Sequence, residues 1–494
     1  MKKHIIFFLF TLILALACTP QEANDKSRHI YIITTNDIHA NINMMPQLST
    51  LVQVYEQRGD VILADSGDRV TGNAFVDDNP QPGVPIIELM NAVGYDVATL
   101  GNHEFDKGAE VLAQMINAAE FRFVCANLTT PEDYPTIEPY TLIELDDFTL
   151  GIAGVVDTDG NGHPLGGDEA YAPFRFTTDL TTACELSAEV AANSDFCILL
   201  SHMGLEQDRT LADLPSSYNW IAGGHSHDTT LEQANNCHIS QNGKNLYYVT
   251  IADIELSDGE IIDILYEQVK VSGYDADPRI TAIVAEIKSQ NPEMCTVEGY
   301  ANALATQDGV ANFTIDALAS YPYDDGFIPE ISFYHFGGIR LSNILAGDIT
   351  RGDIYNNDPF QSTIYIGEMT PTEIRRFILN KYNSGSEERP DKESHYAYFR
   401  SDLPYTIVLG DTPATQPDAI EILFDLEQGR SYRVAMCNYI AENYIDKELV
   451  AHSLRHTEVS VREAMLRHLH SLNEGLTPDN TVYQVEVHHT DINR

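Results

Sequence analysis

An α/β layered architecture in two units is what this sequence predicts, and three observations carry the prediction. Short, nearly continuous apolar runs recur through the first half: "HIYIITT" (29–35), "DVILA" (60–64), "YDVATL" (95–100), "FRFVCA" (121–126), "TLGIAGVV" (149–156), "DFCILL" (195–200) and "NWIAGG" (219–224). Helix-like stretches such as 84–93, 107–119 and 179–193 alternate with them, and strands apolar on both faces are strands covered on both sides. Finally, 494 residues exceed what one ordinary core of roughly 100–200 residues accommodates.

The composition supports a folded protein and narrows its partners. Hydrophobic residues make up 43% and charged residues 21% of the chain, values that go with a sizeable buried core. The 74 acidic side chains against 29 basic ones give a formal charge of −45, which argues against duplex nucleic acid as a partner and is read as solubility through self-repulsion.

Taken in order, residues 1–17 come first: two lysines and an apolar run ending in Ala-Leu-Ala before Cys18, the pattern of a secretory signal and too short to span a bilayer. Cys18 directly after small residues resembles a bacterial lipoprotein cleavage site, although Ala15 stands where leucine is usual. The expectation is an exported protein, periplasmic or tethered to a membrane through lipid on Cys18. The six further cysteines (125, 184, 197, 237, 295 and 437) are scattered without any CxxC; export permits disulfides, but their pairing cannot be read from spacing. Residues 28–271 form the first α/β unit, 272–310 read as a part-helical linker, and 311–490 form the second unit. Strand-like "EISFYHFGG", "STIYIGEM" and "YTIVLG" and helix-like "PTEIRRFILNKY" and "VREAMLRHLHSL" lie in that second unit.

Five of the apolar runs end alike, with metal-ligand residue types just past the strand's C-terminal end. These are Asn36-Asp37-Ile38-His39, Asp65-Ser66-Gly67-Asp68, Gly101-Asn102-His103, Ser201-His202 and Gly223-Gly224-His225-Ser226-His227. Ligands collect at that edge of α/β sheets. Residues two apart on an extended strand share a face, so Asp37 with His39, and His225 with His227, are expected to converge. Glycines before Asp68, Asn102 and His225 admit sharp turns and close approach. A lone DxH or HxH is more often a solvated loop than a ligand pair; five such tails in one order are not. Six or seven ligands exceed the need of one tetrahedral ion and suit two ions sharing a bridge.

The series DIH, SGD, GNHEFD, SHMG and GGHSH resembles the calcineurin-like metallophosphoesterases. With a second domain, the GNHEFD form is similar to the secreted 5′-nucleotidase, UDP-sugar hydrolase and 2′,3′-cyclic phosphodiesterase family. That resemblance implies an N-terminal four-layer α/β sandwich and a C-terminal α/β substrate-binding domain of the 5′-nucleotidase type. It implies that Asp37, His39 and His227 hold one divalent ion and Asn102, His202 and His225 the other, with Asp68 bridging. It further implies that His103 is catalytic, its imidazole held by Asp106. A set of histidine, aspartate and asparagine accepts zinc, manganese, iron or cobalt. Two such ions about 3.5–4 Å apart make hydroxide available near neutral pH for in-line attack on phosphorus. Asp65 falls outside the ligand pattern and is read as a turn-bonding residue; Glu104 is read as a first-turn helix carboxylate favoured by the dipole.

The second unit departs from the family. "HFGGIR" (335–340) stands where the family has Asn-Gly-Gly-Gly-Ile-Arg, so Arg340 matches the phosphate grip while His335 replaces asparagine. In "DPFQST", Phe360 matches the base-stacking ring, and Tyr439 offers a second ring, although the usual Gly-Gly-Asp-Gly turn after it is missing. No arginine occurs in 301–316 where the family commonly places one; Arg400 is the nearest substitute, with a surface salt bridge as its plainer role. The expected activity is a metal-dependent phosphomonoesterase acting on nucleotides. The alternatives are a cyclic phosphodiesterase or nucleotide-sugar hydrolase on the same site, hydrolysis of a sulfur ester, or a lipoprotein that binds nucleotides without turnover.

Overall fold

The computed structural model describes residues 27–158, 162–164, 168–388, 398–410 and 418–488. The signal segment 1–17 and Cys18 lie outside the described residues. Among the described residues no helix is long and apolar enough to cross a membrane, and the six cysteines are free thiols.

Two six-stranded sheets organise the N-terminal half. The first runs, from one edge, Glu260–Lys270, Tyr248–Ser257, Arg28–Thr35, Asp60–Asp65, Val97–Ala98 and Arg122–Phe123. Its last four strands are parallel, and Tyr248–Ser257 joins Arg28–Thr35 antiparallel. The second runs Thr229–Ala234, Cys237–Asn242, Trp220–Gly223, Phe196–His202, Phe148–Val156 and Tyr140–Leu145.

Side-chain alternation along each strand sorts residues between two cores. In Arg28–Thr35, Ile30 and Ile32 point between the sheets, where they meet Leu150, Ile152, Ile198, Leu200 and Trp220. Tyr31 and Ile33 point the other way, onto the helices Met45–Glu56, Val84–Val93, Ala109–Ala118 and Pro278–Gln290. The outer face of the second sheet (Val155, Leu199, Ile221, Ile239) is covered by Asp179–Ala192 and Leu205–Asp213. The result is four layers, helix, sheet, sheet, helix. Each fully buried isoleucine or leucine contributes about 1.5–3 kcal/mol, so a charge at Ile32, which is 0% exposed, would separate the sheets that hold the site.

Within 272–310, the helix Pro278–Gln290 starts at an Asp277 cap whose carboxylate accepts from the Arg279 N–H, and it buries Ile280, Val284 and Ile287 against the N-terminal helices. The strand Val297–Ala301 pairs with Gly347–Thr350. Beyond it, a five-stranded sheet ordered Phe399–Ser401, Ile331–His335, Tyr432–Cys437, Thr363–Met369 and Leu454–Ser460 shares one core with the helices Gln307–Ser320, Pro371–Glu388 and Val461–Ser471. A three-stranded sheet of Ala419–Leu423, Tyr405–Leu409 and Gln484–His488 completes the described C-terminal half.

Candidate active site

The polar tails of the five strands meet at one rim. Asp37 Oδ1 lies 3.3 Å from His227 Nε2 and 3.8 Å from His39 Nε2, and the two imidazole Nε2 atoms are 3.0 Å apart. Asp68 Oδ2 lies 3.1 Å from His202 Nε2 and 3.9 Å from His103 Nε2, while its Oδ1 accepts the His103 backbone N–H at 2.9 Å. His225 Nδ1 is 3.0 Å from Asn102 Oδ1. Three overlapping groups therefore bring ligand atoms within 4.8 Å of one another: Asp37, His39 and His227; His39, Asp68 and His103; Asp68, His202 and His225.

This convergence does not come from shared strand faces, as the i, i+2 spacing suggested. Asp37, His39, Asp68, His225 and His227 lie past the strand ends with φ of 48°, 46°, 55°, 77° and 60°, a left-handed region that costs a side-chain-bearing residue about 1 kcal/mol or more. Backbone bonds between neighbouring loops offset it: the Asp37 N–H donates to Gly67 O (3.0 Å) and the His39 N–H to Asp68 O (2.9 Å). Turn geometry then sends His227 to Asp37 and His39 but His225 to Asn102. Gly67, at φ 91°, and Gly101 let the two loops touch, since a β-carbon on Gly101 would stand 2.2 Å from Asp68 Oδ1.

Glu104 does lie in the first turn of a short helix, His103–Phe105, but its carboxylate does more than meet a helix dipole. It is 1% exposed and accepts the backbone N–H groups of Asp68 (2.9 Å), Arg69 (2.9 Å) and Gly101 (2.6 Å), fastening the Asp68 loop to the Asn102-His103 turn. Asp65 bonds its own turn through the Gly67 N–H (3.2 Å). It also pairs at 3.0 Å with Arg69, a fully buried guanidinium that the sequence reading missed despite the i, i+4 spacing. Burial raises the Asp65 pKa to about 6 against the pull of Arg69.

The residues at the rim fit divalent cations. His202 Nδ1 donates to Ser66 O at 2.7 Å, which leaves its buried Nε2 a bare lone pair without a hydrogen-bond partner, aimed at the Asp68 carboxylate. Lone pairs facing one another at about 3 Å repel unless a cation or a proton lies between them. In the metal-free chain protons take that place: burial lowers the His202 pKa, but the carboxylates of Asp68 and Asp37 outweigh it and raise it to about 10. Burial likewise works against charge on His103, yet Asp106 and Asp68 bring it to about 9. His103 Nδ1 sits 2.8 Å from Asp106 Oδ2, and Asp106 is itself oriented by the Thr71 hydroxyl at 2.8 Å.

The sequence matches two family models, calcineurin-like phosphoesterase over residues 30–229 and 5′-nucleotidase, C-terminal domain, over residues 288–446. The chain joins a calcineurin-like phosphoesterase domain to a 5′-nucleotidase C-terminal domain. Among relatives of this phosphoesterase, the trifunctional nucleotide phosphoesterase protein YfkN of Bacillus subtilis is 23% identical over 85% of this chain. The chain spans only 32% of YfkN's length. Protein UshA of Yersinia enterocolitica is 25% identical, with 73% of this chain and 78% of UshA covered. In fold, the phosphoesterase superposes on the 5′-nucleotidase precursor of Thermus thermophilus with a TM-score of 0.78 at 18% identity, covering 93% of this chain and 99% of that one.

The C-terminal domain of the phosphoesterase brings Arg340 and Phe360 to the rim. Arg340 Nη2 lies 3.1 and 3.3 Å from the two ring nitrogens of His39; burial first, and then this cation, hold the His39 pKa well below the usual histidine value. The Phe360 ring, 38% exposed, stands 5.8 Å from the His103 ring and 5.7 Å from the Arg340 guanidinium. Tyr439 lies against His335 at 4.4 Å with the rings tilted by 33°, and meets Tyr444 edge-on at 5.7 Å. Arg400 is not a surface residue: it is 1% exposed, pairs with Asp308 and lies 4.9 Å over Phe336, beside the turn that carries Arg340.

Proposed function

We propose that this protein is a dinuclear metal-dependent phosphohydrolase of nucleotides, with a 5′-mononucleotide as its substrate. The observation that carries the reading is the Asp68 carboxylate, set between the Nε2 atoms of His202 and His103 at 3.1 and 3.9 Å, within reach of both ligand groups. Asp37, His39 and His227 would hold one ion and Asn102, His202 and His225 the other, with Asp68 shared. Bound there, two divalent ions (zinc, manganese, iron or cobalt) supply a nucleophilic water at neutral pH and neutralise charge at phosphorus.

The chain's own groups do the rest. Arg340 grips the phosphate with a planar set of donors. Asp106, fixed by Thr71, holds Nδ1 of His103 and so turns Nε2 toward the rim, where it hydrogen-bonds a phosphoryl oxygen and protonates the departing alkoxide. Phe360, 5.7 Å from the Arg340 guanidinium, presents a face on which a base stacks, with Tyr439 as the second ring of this reading. The name of YfkN, a nucleotide phosphoesterase, supports the nucleotide class.

The same reading places the enzyme outside the cytoplasm, exported by residues 1–17 and tethered through lipid on Cys18, with residues 28–271 as the metal domain and 311–490 as the substrate domain. Metal content measured together with turnover of 5′-mononucleotides, 2′,3′-cyclic nucleotides and UDP-sugars tests the function. Two ions per chain and fastest release of phosphate from a monoester support it. Preference for either other class reassigns the substrate, and two ions without turnover of any ester would make this a binding lipoprotein. Labelled fatty acid incorporated by the wild type but not by Cys18→Ser tests the tether.

A further inference from the structure

One carboxylate of the metal domain reaches across to the loop that carries Phe360. Asp78 follows the short helix Ala74–Asp77, and its own backbone is fixed: its N–H donates to Ala74 O at 3.1 Å and its carbonyl accepts from Asn291 Nδ2 at 3.0 Å. Its side chain, 13% exposed, pairs with Arg462 at 2.9 Å and accepts from Gln361 Nε2 at 3.0 Å. Arg462, 7% exposed, donates through Nε to the Asp358 carbonyl at 2.7 Å. The Asp358 carboxylate closes the loop on Ser362, accepting its N–H at 3.0 Å and its hydroxyl at 2.7 Å. Phe360 sits at the apex of that loop, beside Gln361 at φ 55°.

The other end of this chain of bonds lies in the catalytic rim. Asp77 accepts the backbone N–H groups of Thr71 (3.0 Å), Gly72 (2.7 Å) and Asn73 (2.8 Å), which makes Thr71–Asp78 one rigid turn. Thr71 orients Asp106 and faces His39 Nδ1 through its carbonyl at 3.1 Å. Asp78 is thus built onto the same segment that holds the partner of His103, and it grips the loop of Phe360 from that fixed point.

We propose that Asp78 is a positioning residue for base recognition: through Arg462 and Gln361 it sets the distance of the Phe360 ring from His103, and so makes the enzyme prefer phosphate monoesters that carry an aromatic base over those that do not. The proposal rests on the reading of Phe360 as a stacking platform. Loss of the anchor leaves the phosphate grip of Arg340 in place and lets the Phe360 loop drift, so the effect falls on the base and is read in KM. Damage to the fold or to the metal site would instead lower turnover of all esters alike.

The experiment compares kcat/KM for adenosine 5′-monophosphate and ribose 5-phosphate, which share the phosphate and the sugar and differ in the base. It uses the full metal-loaded chain in four forms: wild type, Phe360→Ala, Asp78→Asn and Gln361→Ala. The expected result is that Phe360→Ala lowers the ratio between the two substrates, and that Asp78→Asn lowers it by about fivefold or more, as loss of a largely desolvated pair predicts, mostly through KM for the nucleotide. If Phe360→Ala leaves the ratio unchanged, the stacking reading falls and the proposal falls with it. If Phe360→Ala lowers the ratio and Asp78→Asn does not, the proposal alone is overturned. Should Asp78→Asn fail to fold, exposed Gln361 decides: its alanine variant must lower the ratio or the proposal is wrong.

Discussion

Replacing Glu104 by glutamine is the sharpest perturbation of the rim, because the change is one atom in size and lands on three backbone donors at once. The carboxylate accepts from Asp68, Arg69 and Gly101 at 2.9, 2.9 and 2.6 Å and lies 3.8 Å from the Arg69 guanidinium. Glutamine keeps one acceptor oxygen and turns an NH2 toward donors it cannot satisfy. A hydrogen bond to a charged group is worth about 1.5–3 kcal/mol, and removing one partner of a buried pair costs about 3–5 kcal/mol. Arg69 keeps Asp65, so the expected loss is about 3–4 kcal/mol, a large share of the roughly 5–15 kcal/mol that holds a domain together. Because the bond set ties the Asp68 loop to the Asn102 turn, metal affinity is expected to fall by about 10- to 100-fold as well. Urea unfolding of the metal-free protein and calorimetric titration of manganese read the two effects separately. A variant within about 1 kcal/mol of wild type and with unchanged affinity for both ions would refute the role given to Glu104.

Three further outcomes are expected. His103→Ala retains its metal but loses about 10²- to 10⁴-fold in kcat, measured by phosphate release alongside metal analysis; unchanged turnover removes the catalytic assignment. Chelation lowers the melting temperature, since ions that bind only the folded chain stabilise it by about 2.7 kcal/mol each at a hundredfold excess over Kd; a melting curve indifferent to chelator and to added manganese contradicts the metal reading. His335, held neutral by burial and by the nearby cations of Lys381 and Arg340, has its pKa lowered to about 3, so the unfolded chain binds the extra proton. The stability this gives is complete above about pH 6.5 and is lost as pH falls toward 3, at up to about 1.4 kcal/mol per pH unit; His335→Asn should flatten that limb of the stability curve in urea melts, and an unaltered limb would show that His335 does not carry it.

The strands were legible because a parallel strand buried on both faces leaves an apolar run that local sequence displays. Runs 60–64 and 149–156 became Asp60–Asp65 and Phe148–Val156. The run 95–100 shrank to Val97–Ala98 because the chain must bend after Ala98 to bring Asn102 under Asp68. The hairpin Tyr248–Ser257 and Glu260–Lys270 escaped notice for the opposite reason: its outer strand exposes Ile262 and Leu265 at a sheet edge, so its pattern lacks the doubly buried signature.

Ligand types at strand ends were equally plain, whereas the side chains that hold those ligands in register were not. Asp208 and Gln241 do for the second half of the rim what Glu104 does for the first. Ser201, next to His202, donates its hydroxyl to Asp208. Gln241 donates to Gly224 O at 2.9 Å and accepts the Ser226 hydroxyl at 2.9 Å, which fixes the turn that bears His225 and His227. Each of these polar groups is buried beneath its loop rather than exposed beside the reacting atoms, and each has a partner tens of residues away in the text, Asp68 for Glu104 and Asp208 and Gln241 for one another. A residue whose work is to satisfy distant backbone groups carries no local spacing to read. The ligand set follows from the order of strands, while the distances within it follow from three buried side chains, Glu104, Asp208 and Gln241, that only the folded arrangement brings beneath it.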